Sequence, residues 1–146
     1  MNTVAQILGS KPDQAVYTME PSASALEAVR LMAEKNIGAL VVVEHGTIVG
    51  LVSERDYARK LVLMDRSPRD TLLGDIMSTP VMYVRLHQTS DECMALMTQN
   101  RLRHLPVMDG GQLIGLISIG DLVKTTISEQ QFIIEQLEHY ITGQRG

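Results

Sequence analysis

The stretch Gly46-Thr47-Ile48-Val49-Gly50-Leu51-Val52-Ser53-Glu54-Arg55-Asp56 is written a second time as Gly111-Gln112-Leu113-Ile114-Gly115-Leu116-Ile117-Ser118-Ile119-Gly120-Asp121, at a constant offset of 65 residues. Carried upstream without a gap, the same offset pairs Val42 with Val107, Leu40 with Leu105, Met32 with Met97, Leu31 with Leu96 and Glu27 with Glu92. So long an ungapped register marks two copies of one supersecondary unit facing a shared interface, and function is expected between the copies.

Working outward, Ala39 to Val43 is an almost unbroken aliphatic run, as for a strand covered on both faces, and Glu44-His45-Gly46 turns it into a second strand over Ile48 to Val52. Leu105 to Met108, Asp109-Gly110-Gly111 and Leu113 to Ile117 predict the same hairpin in the second copy. Pro106 there points to an edge strand or to an amide without a ladder partner. Ser24-Ala25-Leu26-Glu27 has the form of a capping box, and Val29, Met32 and Ala33 carry an apolar stripe to about Lys35; Thr89 to Glu92 opens the equivalent helix, which runs to about Asn100. Short extended pieces at Ala15 to Met19 and Val81 to Arg85 come before these helices, and before them one or two helical turns at Val4 to Leu8 and at Leu73 to Met77 are expected to lie across the sheet. Helices from Ser53 to about Met64 and from Ser118 to about Thr126 close the units. The fold class is therefore α/β (α+β), with each repeat reading strand, helix, strand, strand, helix in two layers. The expected division is 1–70 for the first repeat with its N-terminal segment and connector, 71–126 for the second, and 127–146 for a C-terminal helical extension.

Each half is too short to bury much surface alone, so the halves are expected to share a core. Aromatics at 3% leave no extended stacking surface for a polymer, and a net charge of −4 argues against nucleic acid. Neither a secretory signal nor a long apolar span is evident, which points to the cytoplasm. Cys93, the one cysteine, sits among apolar helix positions and reads as a packing residue rather than a reactive thiol. In the extension, Ile127, Gln130/Gln131, Ile134, Leu137/Glu138 and Ile141 recur at helical spacing, with Phe132, Ile133 and Tyr140 widening the face. Such a helix needs cover, either from its own repeat or from a second subunit in a homodimer.

Ser53-Glu54-Arg55-Asp56 and Ser118-Ile119-Gly120-Asp121 both allow a capping box. Because each follows a strand, its hydroxyl, carboxylate and first-turn amides also collect at one sheet end, where an Asp can accept from the hydroxyls of a ribose. Arg103 and His104, just before a buried strand, are either a solvated turn or a phosphate contact. Their counterparts are Gly38 and Ala39, so the two potential sites are expected to differ, with the second repeat holding the main one and Arg55 or Lys60 the nearest compensating cations for the first. No phosphate-binding glycine loop is present, and His45, His87, His104 and His139 lack metal-site spacing, so no metal is expected. Ser53 and Ser118 have no sequence-defined base, and Asp56 and Asp121 fit two binding positions better than an acid/base dyad.

These repeats resemble the CBS (cystathionine-beta-synthase) domain, most clearly in Gly50 to Asp56, in His104-Leu105-Pro106-Val107 and in Gly115 to Asp121. The resemblance implies tandem repeats packed as a pseudo-twofold disc, non-catalytic, binding AMP, ADP, ATP or a related adenosyl compound such as NAD or S-adenosylmethionine as a regulatory ligand, with no required cofactor. It maps ribose contacts onto Asp121 and Asp56, with Ser118 and Ser53 beside them, phosphate contacts onto Arg103 and His104, and the adenine side onto Met82 and Val84 or Thr18. It also implies a homodimer and an effect passed to another subunit or an effector protein. The alternative is a scaffold homodimer that acts without a physiological nucleotide.

Overall fold

The computed structural model describes residues 2–141. In chain order its elements are α1 (Val4–Ser10), β1 (Thr18–Met19), α2 (Ala25–Lys35), β2 (Ala39–Glu44), β3 (Thr47–Ser53), α3 (Glu54–Tyr57) running into a π-helical turn (Ala58–Val62), α4 (Leu73–Ile76), β4 (Val84–Arg85), α5 (Ser90–Asn100), β5 (His104–Asp109), β6 (Gln112–Ser118) and α6 (Ile119–Ile141). They form two compact units, one running from Ala15 to Met82 and one joining the segment up to Gln14 to the chain from Tyr83 onward.

In the Ala15–Met82 unit the sheet order is β1-β2-β3, with β1 parallel and β3 antiparallel to β2. Helix α2 begins where the Ser24 hydroxyl accepts from the Glu27 amide at 3.1 Å and ends where Asn36 turns left-handed at φ 54°. Its buried face, Ala25, Ala28 and Met32, packs with Leu40, Val42, Val52, Leu61, Leu73 and Ile76. Ala39 to Val42 are all buried, as the aliphatic run predicts.

The other unit repeats the design in the β4-β5-β6 sheet. Registers translate by the offset of the sequence: Met19 opposite Val42 becomes Val84 opposite Val107, Ala39 opposite Ser53 becomes His104 opposite Ser118, and the bulge after Val42 recurs after Val107. Thr89 caps α5 through the Glu92 amide at 3.2 Å, and Arg101 ends it at φ 55°. The buried side chains include Val4, Ile7, Val84, Cys93, Met97, Leu105, Val107, Ile117 and Leu122.

Four features of the structure bear on the sequence reading. Of the two expectations for Pro106 the edge strand fails and the unneeded amide holds: Pro106 lies in β5, the central strand. Its counterpart Val41 donates its amide at 3.4 Å to the Tyr17 carbonyl, on the β1 side and away from β3, so a proline at this parity removes nothing from the antiparallel ladder. The N-terminal segment packs on the second repeat: Val4 N–H donates to the Gln88 carbonyl at 2.8 Å and Ser90 N–H to the Asn2 carbonyl at 2.8 Å. Helix α4 correspondingly packs with the first repeat, where Leu73 N–H donates to the Ala23 carbonyl at 2.9 Å. Finally, α6 is continuous through residues 126 and 127, since neither Gly nor Pro interrupts Thr125-Thr126-Ile127-Ser128. Residues 142–146 of the expected extension lie outside the described residues.

Candidate functional site

Both Ser/Asp motifs form the capping boxes that their spacing allows. In the Ala15–Met82 unit the Ser53 amide donates to Asp56 Oδ2 at 2.9 Å, and the Asp56 amide donates to Ser53 Oγ at 3.2 Å. In the other unit the Ser118 amide donates to Asp121 Oδ2 at 2.8 Å, and the Asp121 amide to Ser118 Oγ at 3.1 Å. Capping is therefore a real use of these residues, and a ligand must be judged by the acceptor capacity left over.

That remainder differs between the units. Asp56 Oδ1 accepts from the Ser78 hydroxyl at 2.8 Å and pairs with Lys60 Nζ at 3.1 Å, while Oδ2 takes the Ser53 hydroxyl at 3.1 Å as well as its amide. A carboxylate offers about four lone-pair positions, and all of these are used. At Asp121, by contrast, Ser118 N–H and Lys11 Nζ at 3.0 Å meet Oδ2, and the Ser118 hydroxyl is a third partner of the carboxylate. Among the described residues one acceptor position is left that Asp56 does not have.

The cations come from different elements. Lys60 lies in the π-helical turn after α3 and also donates to the Ile76 carbonyl at 3.1 Å and the Ser78 hydroxyl at 3.3 Å. Lys11, the C-cap residue of α1, donates to the Leu116 carbonyl at 2.7 Å. The counterpart carbonyl, that of Leu51, accepts the backbone N–H of Ser78 at 2.8 Å. One pair of acceptors is thus served by a backbone bridge and a lysine in one unit, and by a single lysine in the other. Lys11 and Ser78 carry no spacing signal, and sequence reasoning does not find them.

Beside Asp121, His104 stands opposite Ser118 in the ladder, and the Arg103 carbonyl accepts the Ile119 amide at 2.8 Å, so Arg103, His104, Ser118 and Asp121 meet at one end of β5 and β6. Burial lowers the His104 pKa to about 4; Asp121 opposes that shift, and Lys11 and Arg103 add to it. The expected basic pair is therefore one cation, Arg103, beside a neutral imidazole that can donate a single N–H. Burial pushes Asp121 upward, but the Ser118 amide, Lys11 and the Ser118 hydroxyl outweigh it and hold the carboxyl below its ordinary range.

The remaining expected positions are dispersed. Val84 is wholly buried in the core of its unit, so its side chain offers no surface to adenine. Thr18 is exposed on β1, Arg55 is exposed in the first turn of α3, and Met82 is half-buried between elements. Among the described residues no His, Cys, Asp and Glu cluster could hold a metal ion, and no helix is long and apolar enough to cross a membrane.

Against known proteins, the CBS domain family matches residues 4–63 and again residues 73–127. A solved CBS-domain protein from Burkholderia ambifaria MC40-6 is 57% identical, covers 88% of this chain and 96% of its own, and superposes with a TM-score of 0.85. The mitochondrial CBS domain-containing protein CBSX3 of Arabidopsis thaliana is 38% identical over 80% of this chain, which spans 59% of that protein's length. The CBS domain pair of MJ0100, solved with 5′-methylthioadenosine and S-adenosyl-L-methionine, is 24% identical, covers 88% of this chain and 98% of its own, and has a TM-score of 0.77, a likeness of fold.

Proposed function

The chain belongs to the CBS domain family, whose members are non-catalytic regulatory modules, and from that premise we propose that it is a cytoplasmic sensor, acting as a homodimer, of an adenine nucleotide or related adenosyl ligand. The main site is assigned to the second repeat. What carries the reading is Asp121: its carboxylate retains an acceptor position for a ribose hydroxyl that Asp56 lacks, while Arg103 supplies positive charge and His104 a neutral donor for phosphate. The ligands held by the MJ0100 pair belong to the same adenosyl class. At Asp56 a ribose hydroxyl must first displace Ser78 or Lys60, which makes the first repeat the weaker partner.

Titration calorimetry of nucleotide-free protein with AMP, ATP, NAD and S-adenosylmethionine tests this. Asp121→Asn, which keeps the side chain's shape, should weaken binding roughly 10 to 150-fold, the worth of a charge-assisted hydrogen bond of about 1.5–3 kcal/mol, while Asp56→Asn keeps most of the affinity. Thermal unfolding confirms that both variants are folded. Equal losses would abolish the ranking of the two repeats, and no binding of any ligand would leave the scaffold reading, which the satisfied capping boxes support.

A further inference from the structure

Helix α6 is 23 residues long, yet from Gln130 to Ile141 every residue is exposed. Three turns of helix without packing are marginal in water, and these carry Phe132, Ile133, Ile134, Leu137, Tyr140 and Ile141. The side facing its own unit is marked by buried Leu122 and by half-buried Thr125 and Glu129, the last accepting a hydrogen bond from Asn2 Nδ2. On the opposite side Val123, Ile127, Gln130, Ile134, Leu137 and Ile141 recur in alternating steps of four and three. That is a coiled-coil seam, with Ile127, Ile134 and Ile141 at a positions and Val123, Gln130 and Leu137 at d.

We propose that a second copy of α6 covers this seam, running antiparallel. The proposal rests on the homodimer reading above and adds its surface and orientation. The flanking residues select the direction: Lys124 and Glu138 hold e positions, and Thr126, Ile133 and Tyr140 hold g. In an antiparallel pair e faces e and g faces g. Stacking Ile127 on Leu137 of the partner subunit then sets Lys124 against Glu138 of the partner subunit on both sides of the twofold axis, and Ile133 against Ile133 of the partner subunit on the axis itself. In a parallel pair e faces g, which places Lys124 against Ile119 and Glu138 against Ile133, each charge against an apolar side chain. Phe132 lies on the Thr125 and Glu129 side and takes no part in the seam.

Sedimentation of the full chain at micromolar concentrations, with variants at exposed positions, reads the proposal out. The native chain should be a dimer, Leu137→Asp should be a monomer with undiminished circular dichroism from the two units, and Lys124→Glu should weaken the dimer severalfold. Adding Glu138→Lys to Lys124→Glu should restore it. Under mild oxidation Ile133→Cys should form a disulfide-linked dimer, whereas Gln130→Cys, which faces Ile134 of the partner subunit, should not; native Cys93 is buried and stays silent. Cross-linking through Gln130→Cys but not Ile133→Cys would overturn the antiparallel direction and leave the homodimer standing. A dimer indifferent to Leu137→Asp would overturn the seam as well, and a monomeric native chain would overturn both readings.

Discussion

His104 makes one residue a sensor of acidity for the whole unit around it. Its native pKa of about 4 lies below the ordinary 6.5, so the folded chain keeps the imidazole neutral while the unfolded chain protonates it. The stabilisation is complete above pH 6.5 and is lost as pH falls from there toward 4, at about 1.4 kcal/mol per unit, or about 3 kcal/mol in all. Asp121, held below its ordinary range, contributes in the same sense but lower, as pH falls beneath about 4. Urea unfolding of native chain and His104→Gln from pH 7 to 4 should therefore give curves that converge on acidification, because the glutamine variant lacks the histidine's share of the slope; parallel curves would show that His104 does not titrate as its burial dictates. The acid limb below pH 4 should persist in the variant and shrink in Lys11→Met, which removes the cation beside Asp121.

At the level of elements, each sheet receives a covering segment through a glycine. A Cβ at Gly50 would lie 2.4 Å from Met77 Sδ and 2.9 Å from Met77 Cβ, and one at Gly115 would lie 2.7 Å from Leu8 Cδ2. Gly→Ala at either strand position should cost about 1–3 kcal/mol, more at Gly50, where the clash extends to the root of the side chain, than at Gly115, where it meets a leucine tip. Thermal unfolding checks the ranking, and Leu8→Ala should relieve Gly115→Ala in a double-mutant cycle. Strands and main helices were legible because their signals are local: the aliphatic run at Ala39, the turn at Glu44-His45-Gly46 and the Ser24 cap each name their own structure. The π-helical turn at Ala58–Val62 was not, since Ala-Arg-Lys-Leu-Val suits an α-helix equally well and only the structure shows Lys60 set beside Asp56, Ile76 and Ser78. In the candidate site Ser118 and Asp121 were legible from their spacing, while Lys11 reaches them from a segment more than a hundred residues away, a distance across which no sequence period carries information.

For the molecule as a whole, the 65-residue repeat was legible and the assignment of its leading segments was not, because α1 and α4 are short and either could cover either sheet by pattern alone. Leu73 and Ile7, both fully buried, decide the matter experimentally. Leu73→Ala should cost about 2–5 kcal/mol and release hydrogen exchange first in α2, while Ile7→Ala should do the same in α5; the opposite pattern would place each leading segment on the sheet of the repeat that follows it. The exchanged segments also order events on the ribosome. The Ala15–Met82 unit is one continuous run, complete as soon as Met82 has emerged. The other unit cannot close until synthesis has passed Gln88 and gone on through β6, because Val4 and Ala5 donate to the carbonyls of Gln88 and Leu86 and Leu8 rests against Gly115. At about 5–20 residues per second, Val4 and Ile7 wait for several seconds without the partners that bury them, in reach of chaperones while the Ala15–Met82 run that follows is already complete.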